Sequence, residues 1–442
     1  MRKAKNSLGL IFFPAFDWSI APTHPEREER LLYTKDQIKE EGILDIAGIK
    51  EYNPSLAKRA DVKRTHFCIP NSKDIVTKPH LISAGGAIKA AELVMDDKVD
   101  SAFALIRPPG HHAFQITHGT RGFCTINNEA IMVDYIRQHY GTELKIAIID
   151  TDAHHADGTQ DIFYHDPNIL HICLHQDGRS LFPGTGFKDD LGGPTAKGYT
   201  LNLALPPHTT DKGLHYAVDN LILPILNDFK PDLVINSAGQ DNHFSDPLTN
   251  MQITAQGYGE LNDKLDPDLA IMQGGYSIEK ALPYTNLSII AAMAGLDYRG
   301  IVEPDYKPEI SKQSAKITEE IKDKVSFLRE RWQQREELIA AEIKQGDYSS
   351  TTKTITYDTD RIRDKQKIKT RLCNECAGFK ITISQASPVK YGKVKTIAIP
   401  FNACQQCQQE AYQAYETSQN TNDFAFCYLQ DKVNDKAISS QL

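Results

Sequence analysis

Long hydrophobic runs are missing from this 442-residue sequence. None approaches the ~20 consecutive apolar residues that a membrane-spanning helix needs, so no such helix is expected. A surplus of positive charge is missing as well: 50 Lys and Arg stand against 58 Asp and Glu, a formal net charge of -8. Nonspecific nucleic-acid binding depends on excess Lys and Arg releasing counterions from phosphate, so the chain as a whole is not such a binder; a local basic patch stays open. Internal repeats and low-complexity tracts are lacking, which removes solenoid architectures. Cysteine is scarce. Of its eight positions, Cys68, Cys124 and Cys173 lie in or beside apolar stretches, Cys427 stands alone, and Cys373, Cys376, Cys404 and Cys407 form two C-x-x-C pairs. That is no disulfide framework, and it points to a reducing, cytoplasmic setting with one metal-binding set. The opening MRKAKNSLGLIFFPAF, apolar from Leu8 to Phe16 with no small-residue cleavage site after it, reads as a first buried strand rather than a secretion signal.

What is present is an ordinary globular composition, 40% hydrophobic and 24% charged, in a chain longer than one core usually holds. Short apolar runs (LGLIFF 8–13, SAFALI 101–106, KIAIID 145–150, NILHICL 168–174, YTLNLAL 199–205, DLVINS 232–237, DLAIMQ 268–273) alternate with helical patterns such as GGAIKAAELVM (85–95) and DNLILPILNDF (219–229). Alternation of this kind predicts βαβ units and a parallel sheet, an α/β fold, over residues 1–300. Past Gly300 the texture turns polar. About thirty residues then run without a breaker, with Ile321, Val325, Leu328, Trp332 and Ile339 at heptad-like spacing. They predict an amphipathic helix within 301–350 that packs on the large domain or on a neighbouring helix of the same chain, with a dimerising coiled coil as the alternative. Residues 351–442 form a third segment.

In an open parallel sheet, ligands bind beyond the carboxyl ends of the strands. The titratable residues of this chain fall there. SAFALI leads into His111 and His112, KIAIID into DTDAHHADG, DLVINS into AGQDNH with Asp241, and DLAIMQ into GGYS with Tyr276. A period of two puts Asp150, Asp152 and His154 on one side of an extended segment. Asp152 and His154 suit a metal site that Asp241 closes. Three protein ligands with an open position is the pattern of a catalytic zinc, although so oxygen-rich a set also suits Fe(II) or Co(II). Two adjacent histidines beside a metal need carboxylates to fix their tautomers, and Asp150 and Asp157 are at hand.

RPPGHHA, DTDAHHADG, FPGTG (182–186), SAGQDNHFSDPL (237–248) and QGGY (273–276) together resemble, in order and spacing, the signature segments of the histone deacetylase superfamily, over about residues 1 to 300. The resemblance implies an arginase-like α/β fold with a mostly parallel sheet flanked by helices. It implies zinc bound by Asp152, His154 and Asp241, His111 paired with Asp150, and His112 paired with Asp157. Tyr276 becomes the phenol that donates to the substrate carbonyl, and Phe123 and Phe182 the walls of an acyl-lysine tunnel. A potassium ion is implied near Asp150, Asp152 and His154. The implied activity is zinc-dependent hydrolysis of acyl, chiefly acetyl, groups from lysine side chains of proteins or peptides or from related small amides. Acetylpolyamine hydrolysis is the alternative, followed by an inactive scaffold. Leu248 lies where polyamine-specific relatives tend to place an acidic residue, which favours acyl-lysine. There are departures. Nine residues, AFQITHGTR, separate His112 from Gly122, two more than close relatives have; Ala156 replaces a usual Gly; Gln240 precedes Asp241; and the acidic rim residue of many eukaryotic members has no match better than Asp74.

CNEC (373–376) and CQQC (404–407) are 27 residues apart and flank two β-like runs, FKITIS and KVKTIAI. Two such knuckles on a hairpin predict a zinc ribbon whose metal supplies most of its folding energy, a unit separable from the catalytic one. Just before it, Arg361, Arg363, Lys365, Lys367, Lys369 and Arg371 alternate along RIRDKQKIKTR. A strand would show all six on one face, as a solvated edge protected by charge or as a contact for nucleic acid or an acidic partner.

Overall fold

The computed structural model describes residues 3–13, 19–21, 23–421 and 423–441. The expected first strand runs over β1 (Lys3–Phe12); Pro14, Ala15 and Phe16 of the same apolar run lie outside the described residues. It is followed by β2 (Ala47–Tyr52), the two-residue β3 (Phe67–Cys68), β4 (Ser101–Leu105), the two-residue β5 (Ile116–Thr117), β6 (Ile146–Asp150), β7 (Ile169–Gln176), β8 (Thr200–Leu205), β9 (Leu233–Ala238) and β10 (Leu269–Met272). Among the described residues β3 pairs with β5 alone. The other eight form one sheet in the order β2-β1-β4-β10-β9-β6-β7-β8, parallel at every pairing.

This order positions the site. The chain builds the two flanks first and inserts β9 and β10 last, so that β4, β10, β9 and β6 become neighbours at the centre. Their residues are buried on both faces, which is why these segments read as continuous apolar runs. Period two still sorts them: Phe103, Leu105, Ala147 and Ile149 join one core layer, Ala102, Ala104, Ile146 and Ile148 the other. Helices Lys78–Met95 and Asn128–Tyr140 cover the second layer, while Ala255–Leu265 and Leu282–Met293 cover the first.

The amphipathic segment past Gly300 packs on the large sheet's own core. Ile321, Val325, Leu328 and Trp332 of helix Ala315–Gln333 are buried there, and the Trp332 indole donates to Asp228 at 2.7 Å. The continuous thirty-residue helix does not form. It breaks at Gln334, and the short helix Arg335–Ile343 that follows buries none of its residues, so Ile339 is not part of the seam.

A second sheet follows, β11 (Tyr348–Tyr357), β12 (Ile362–Arg371), β13 (Lys380–Ser387), β14 (Val394–Ile399), β15 (Phe426–Asp431) and β16 (Lys436–Gln441), in sequence order and antiparallel except at β14–β15. Helix Gln405–Gln419 packs against it. β12 shows the expected alternation: Arg363, Lys365, Lys367 and Lys369 are exposed while Asp364, Gln366, Ile368 and Thr370 are buried. Two details differ from expectation. Arg361 sits in the β11–β12 turn at φ +56, outside the strand, and β12 is an interior strand, flanked by β11 and β13.

The small sheet is fastened to the large unit by polar contacts, buried and half-buried. Lys432 reaches Asp134 at 2.7 Å, Tyr428 donates to the Pro70 carbonyl, Gln115 to Gln430, and Arg64 clasps Asp435. The densest contacts are with residues 115–122. Tyr357 Oη donates to Ile116 O at 2.6 Å, His118 meets Ser384 and Tyr391, Thr120 N–H donates to Asp360, and Gly122 N–H to Asp358 at 2.9 Å. The lengthened stretch between His112 and Gly122 is the part that the second sheet grips.

Candidate active site

Beyond the C-terminal ends of β6, β9 and β10, three backbone turns close on two carboxylates. Asp152 accepts the N–H of His154 on one oxygen at 2.8 Å and the N–H of Gly274 on the other at 2.7 Å; Asp241 accepts the N–H of Ala153 at 2.7 Å. Gly239 and Gly274 approach these carboxylates so closely that a Cβ on either would collide with Asp152, and on Gly274 also with Asp241. His154 Nδ1 lies 3.1 Å from Asp152 Oδ1 and 2.9 Å from Asp241 Oδ2.

Asp152, His154 and Asp241 thus offer three ligand atoms within 4.8 Å of one another, all buried. One imidazole nitrogen faces two carboxylate oxygens and carries at most one proton. Burial and the Asp152 charge push the Asp241 carboxyl up to about 6, while Asp152, against its own burial, is held well below the usual range by His111 and His154. Two buried acids around one nitrogen call for more positive charge than a single proton, and a divalent cation with N and O preferences fits the set.

The histidine pair sits beside it. His112 Nδ1 is 2.8 Å from Asp157 Oδ1, and the other Asp157 oxygen accepts from Arg121 Nε at 3.0 Å and Nη2 at 2.6 Å. Burial and the neighbouring His111 push His112 down to about 3, so its ring is neutral, with Nδ1–H donated to Asp157 and Nε2 left as an acceptor. His111 Nδ1 lies 3.3 Å from Asp150 and its Nε2 3.8 Å from Asp152; burial works against its charge, but the two acids prevail and raise it to about 9.

Above these groups opens a cavity of ≈ 300 Å³. Phe123 and Phe182 line it, with His112, His154 and Tyr276 below and Leu181 and Leu248 at the rim. Phe182 packs edge-on to His112 at 5.1 Å and Phe123 edge-on to Tyr276 at 5.5 Å. Phe123 stands at φ +69, and a Cβ on its neighbour Gly122 would press on His112 and Phe182. Burial pushes the Tyr276 phenol up, opposed by the Arg30 guanidinium 5.0 Å over the ring, so the hydroxyl keeps its proton and can donate. Asp74, by contrast, is an exposed helix residue hydrogen-bonded to Asn71 and does not line the cavity.

Several contributors were not read from the sequence. Arg121 lies in the quoted rim segment with no pattern to mark it. Asp246 accepts the N–H groups of Tyr276 at 2.7 Å and Leu248 at 2.9 Å and so ties the SDPL turn to the QGGY turn. Arg30 donates to Gly275 O and Gln273 O. Asp358 lines the cavity from the β11–β12 turn, and its separation of 236 positions from Gly122 leaves no local signal. A larger cavity of ≈ 540 Å³ lies between the two sheets behind Arg121 and Asp157; none of Asp152, His154 and Asp241 lines it, so it is not the reaction site.

In the second sheet, Cys373 and Cys376 follow β12 while Cys404 and Cys407 open helix Gln405–Gln419, all four sulfurs within 4.8 Å of one another. The N–H groups of Glu375 and Gly378 point at Cys373 and Cys376 sulfurs, at 3.4 and 3.3 Å. The cluster fits a small zinc-binding domain.

Residues 50–293, more than half of the 442, match the family model described as the histone deacetylase domain. The chain is similar to a probable deacetylase of Archaeoglobus fulgidus, 46% identical over 318 residues that span 66% of this chain and 87% of that protein. It is also similar to a histone deacetylase-like amidohydrolase of Pseudomonas aeruginosa, 32% identical over 224 residues, 49% of this chain and 58% of that one. Among solved structures, the crystal structure of the HDA15 HD domain superposes with a TM-score of 0.62 at 25% identity, covering 77% of this chain and 98% of that one. With the parallel sheet and the site at its strand ends already in place, these matches settle the family: the chain belongs to the histone deacetylases.

Proposed function

We propose that this chain is a zinc-dependent amidohydrolase that removes acyl groups, chiefly acetyl, from lysine side chains of proteins or peptides or from related small amides. One observation carries the reading: Asp152, His154 and Asp241 gather under the same apolar cavity that His112 and Tyr276 enter. Zinc held by these three supplies Lewis acidity to the amide carbonyl and to a water. His112, its tautomer set by Asp157, takes a proton from that water on Nε2 and returns one to the leaving amine. His111, paired with Asp150, tunes the charge around the reacting atoms. Tyr276 donates its hydroxyl to the developing oxyanion, a contribution on the order of 3 kcal/mol for one well-placed donor. Phe123 and Phe182 hold the alkyl chain, and Leu248 gives apolar contact at the rim. The potassium implied by the resemblance has no part in this scheme.

A second zinc is assigned to Cys373, Cys376, Cys404 and Cys407. The free buried thiols of Cys68, Cys124 and Cys173 support a reducing, cytoplasmic setting, and the exposed basic row on β12 is read as a solvated face. Acetylpolyamine hydrolysis is the second reading, favoured by the Asp358 carboxylate at the cavity. The deciding experiment assays zinc-loaded protein against acetyl-lysine peptides, longer acyl-lysines and acetylated polyamines, before and after chelation. Hydrolysis that chelation abolishes is expected; no turnover of any of them with the metal in place overturns the reading.

A further inference from the structure

The end of β11 and the turn that follows it, residues 356–360, touch the active site twice. Thr356 O accepts from Arg121 Nη1 at 2.6 Å, and Arg121 in turn holds Asp157, the partner of His112. Two residues on, Asp358 Oδ1 accepts the N–H of Gly122 at 2.9 Å, next to the wall residue Phe123, and Asp360 accepts the N–H of Thr120 at 2.6 Å. These bonds hold the turn on the rim and spend one Asp358 oxygen. The residue is exposed, and it lines the cavity together with Phe123, Phe182 and Leu248. Among the described residues that line this cavity, Asp358 is the one carboxylate; the others at the rim are apolar, and Arg121 beneath is already paired to Asp157.

From this placement, and resting on the deacylase reading above, we infer that Asp358 is a specificity-determining residue that selects substrates carrying a positive charge on the solvent side of the reacting amide. The second sheet therefore completes the substrate site. A neutral rim gives a cationic and a neutral substrate equal footing, whereas a half-exposed carboxylate beside an apolar wall favours the cation by about three- to tenfold. Leu248 and Asp358 then divide the mouth: one contacts the alkyl part, the other the charge beyond it. The charge has two possible sources with the same chemistry, the distal ammonium of an acetylated diamine and a basic side chain beside an acyl-lysine.

Two substrate pairs test this on the full-length zinc protein: N-acetylputrescine against N-butylacetamide, and an acetyl-lysine peptide flanked by arginine against the same peptide flanked by glutamine. The expected result is a kcat/KM ratio favouring the cationic member by about three- to tenfold in at least one pair, and the pair with the larger ratio identifies the source of the charge. Asp358→Asn keeps an oxygen for Gly122 N–H and removes the charge, so the ratio should collapse toward one; Asp358→Glu should retain much of it. A residue that merely braced the rim would lower both members of a pair together. A ratio near one in both pairs, or a ratio that Asp358→Asn leaves intact, overturns the inference while leaving the deacylase reading standing. Inactivity toward all four substrates overturns the deacylase reading and this inference with it. For a check that needs no variant, the wild-type ratio should shrink as salt is raised from ~20 mM to ~0.5 M, because screening weakens the exposed pair.

Discussion

The two candidate metal-ligand clusters of this chain are assembled in opposite ways. Asp152, His154 and Asp241 come from the ends of two neighbouring parallel strands, with His111, His112 and Tyr276 arriving from the next two. The four cysteines come as two C-x-x-C pairs around one hairpin, 27 residues apart. The first depends on a sheet of eight strands already built; the second is local and lends a small fold much of its stability once metal is bound. The contrast would suggest two independent units. The contacts nevertheless couple them, because the small sheet grips residues 115–122 and reaches the partner of His112 through Arg121.

The comparison breaks most sharply at the metal ligands. Asp241→Ala should remove one of two zinc equivalents per chain and lower turnover by about 10³-fold or more, since several kcal/mol of charge stabilisation disappear. Elemental analysis beside the kinetic assay checks this, and loss of both zincs would mean that the sites are not separate. His112→Ala keeps the metal ligands, so zinc should stay at two equivalents while kcat drops by roughly 10² to 10⁴; Asp157→Asn should give a weaker form of the same defect.

The double change Cys404→Ser and Cys407→Ser probes the other cluster. If the units were independent it would cost a zinc and little else. Given the grip on the rim, kcat should also fall, by about tenfold, an effect worth ~1.4 kcal/mol of transition-state stabilisation. Unchanged kcat beside a lost zinc would restore the independent picture. The smallest effect is expected at a single tie between the sheets: Tyr357→Phe removes the bond to Ile116 O, leaves a buried carbonyl short of a donor, and should cost ~1 kcal/mol in thermal unfolding with both zincs retained.

Legibility followed the range of the interaction. Seven of the eight strands of the large sheet were plain because parallel strands buried on both faces read as unbroken apolar runs, whereas β2, an edge strand that buries only Ile49, gave no such run. Helix Ala315–Gln333 was plain because its buried stripe repeats every three or four residues. Its end was not. Nothing in the residue pattern marks Gln334 as a break, and Ile339 continues the spacing although no core lies beneath it. The solvated-edge reading of β12 failed for the same reason: alternation reports which face is wet, while the neighbours on either side are a matter of topology.

Composition, period and short motifs are properties of neighbouring residues, and they sufficed for the α/β class, for the Asp150 to Asp157 cluster and for the cysteine pairs. They also placed His111, His112, Asp241 and Tyr276 at strand ends, where an open parallel sheet collects its chemistry. Which strands stand side by side was decided only in three dimensions, by inserting β9 and β10 between β4 and β6 after the flanks were built. So was the rim. Arg121 meets Thr356, and Gly122 meets Asp358, through hydrogen bonds spanning 235 and 236 residues, and no local physical preference of any of them encodes a partner that distant; only packing the second sheet against the first brings them together.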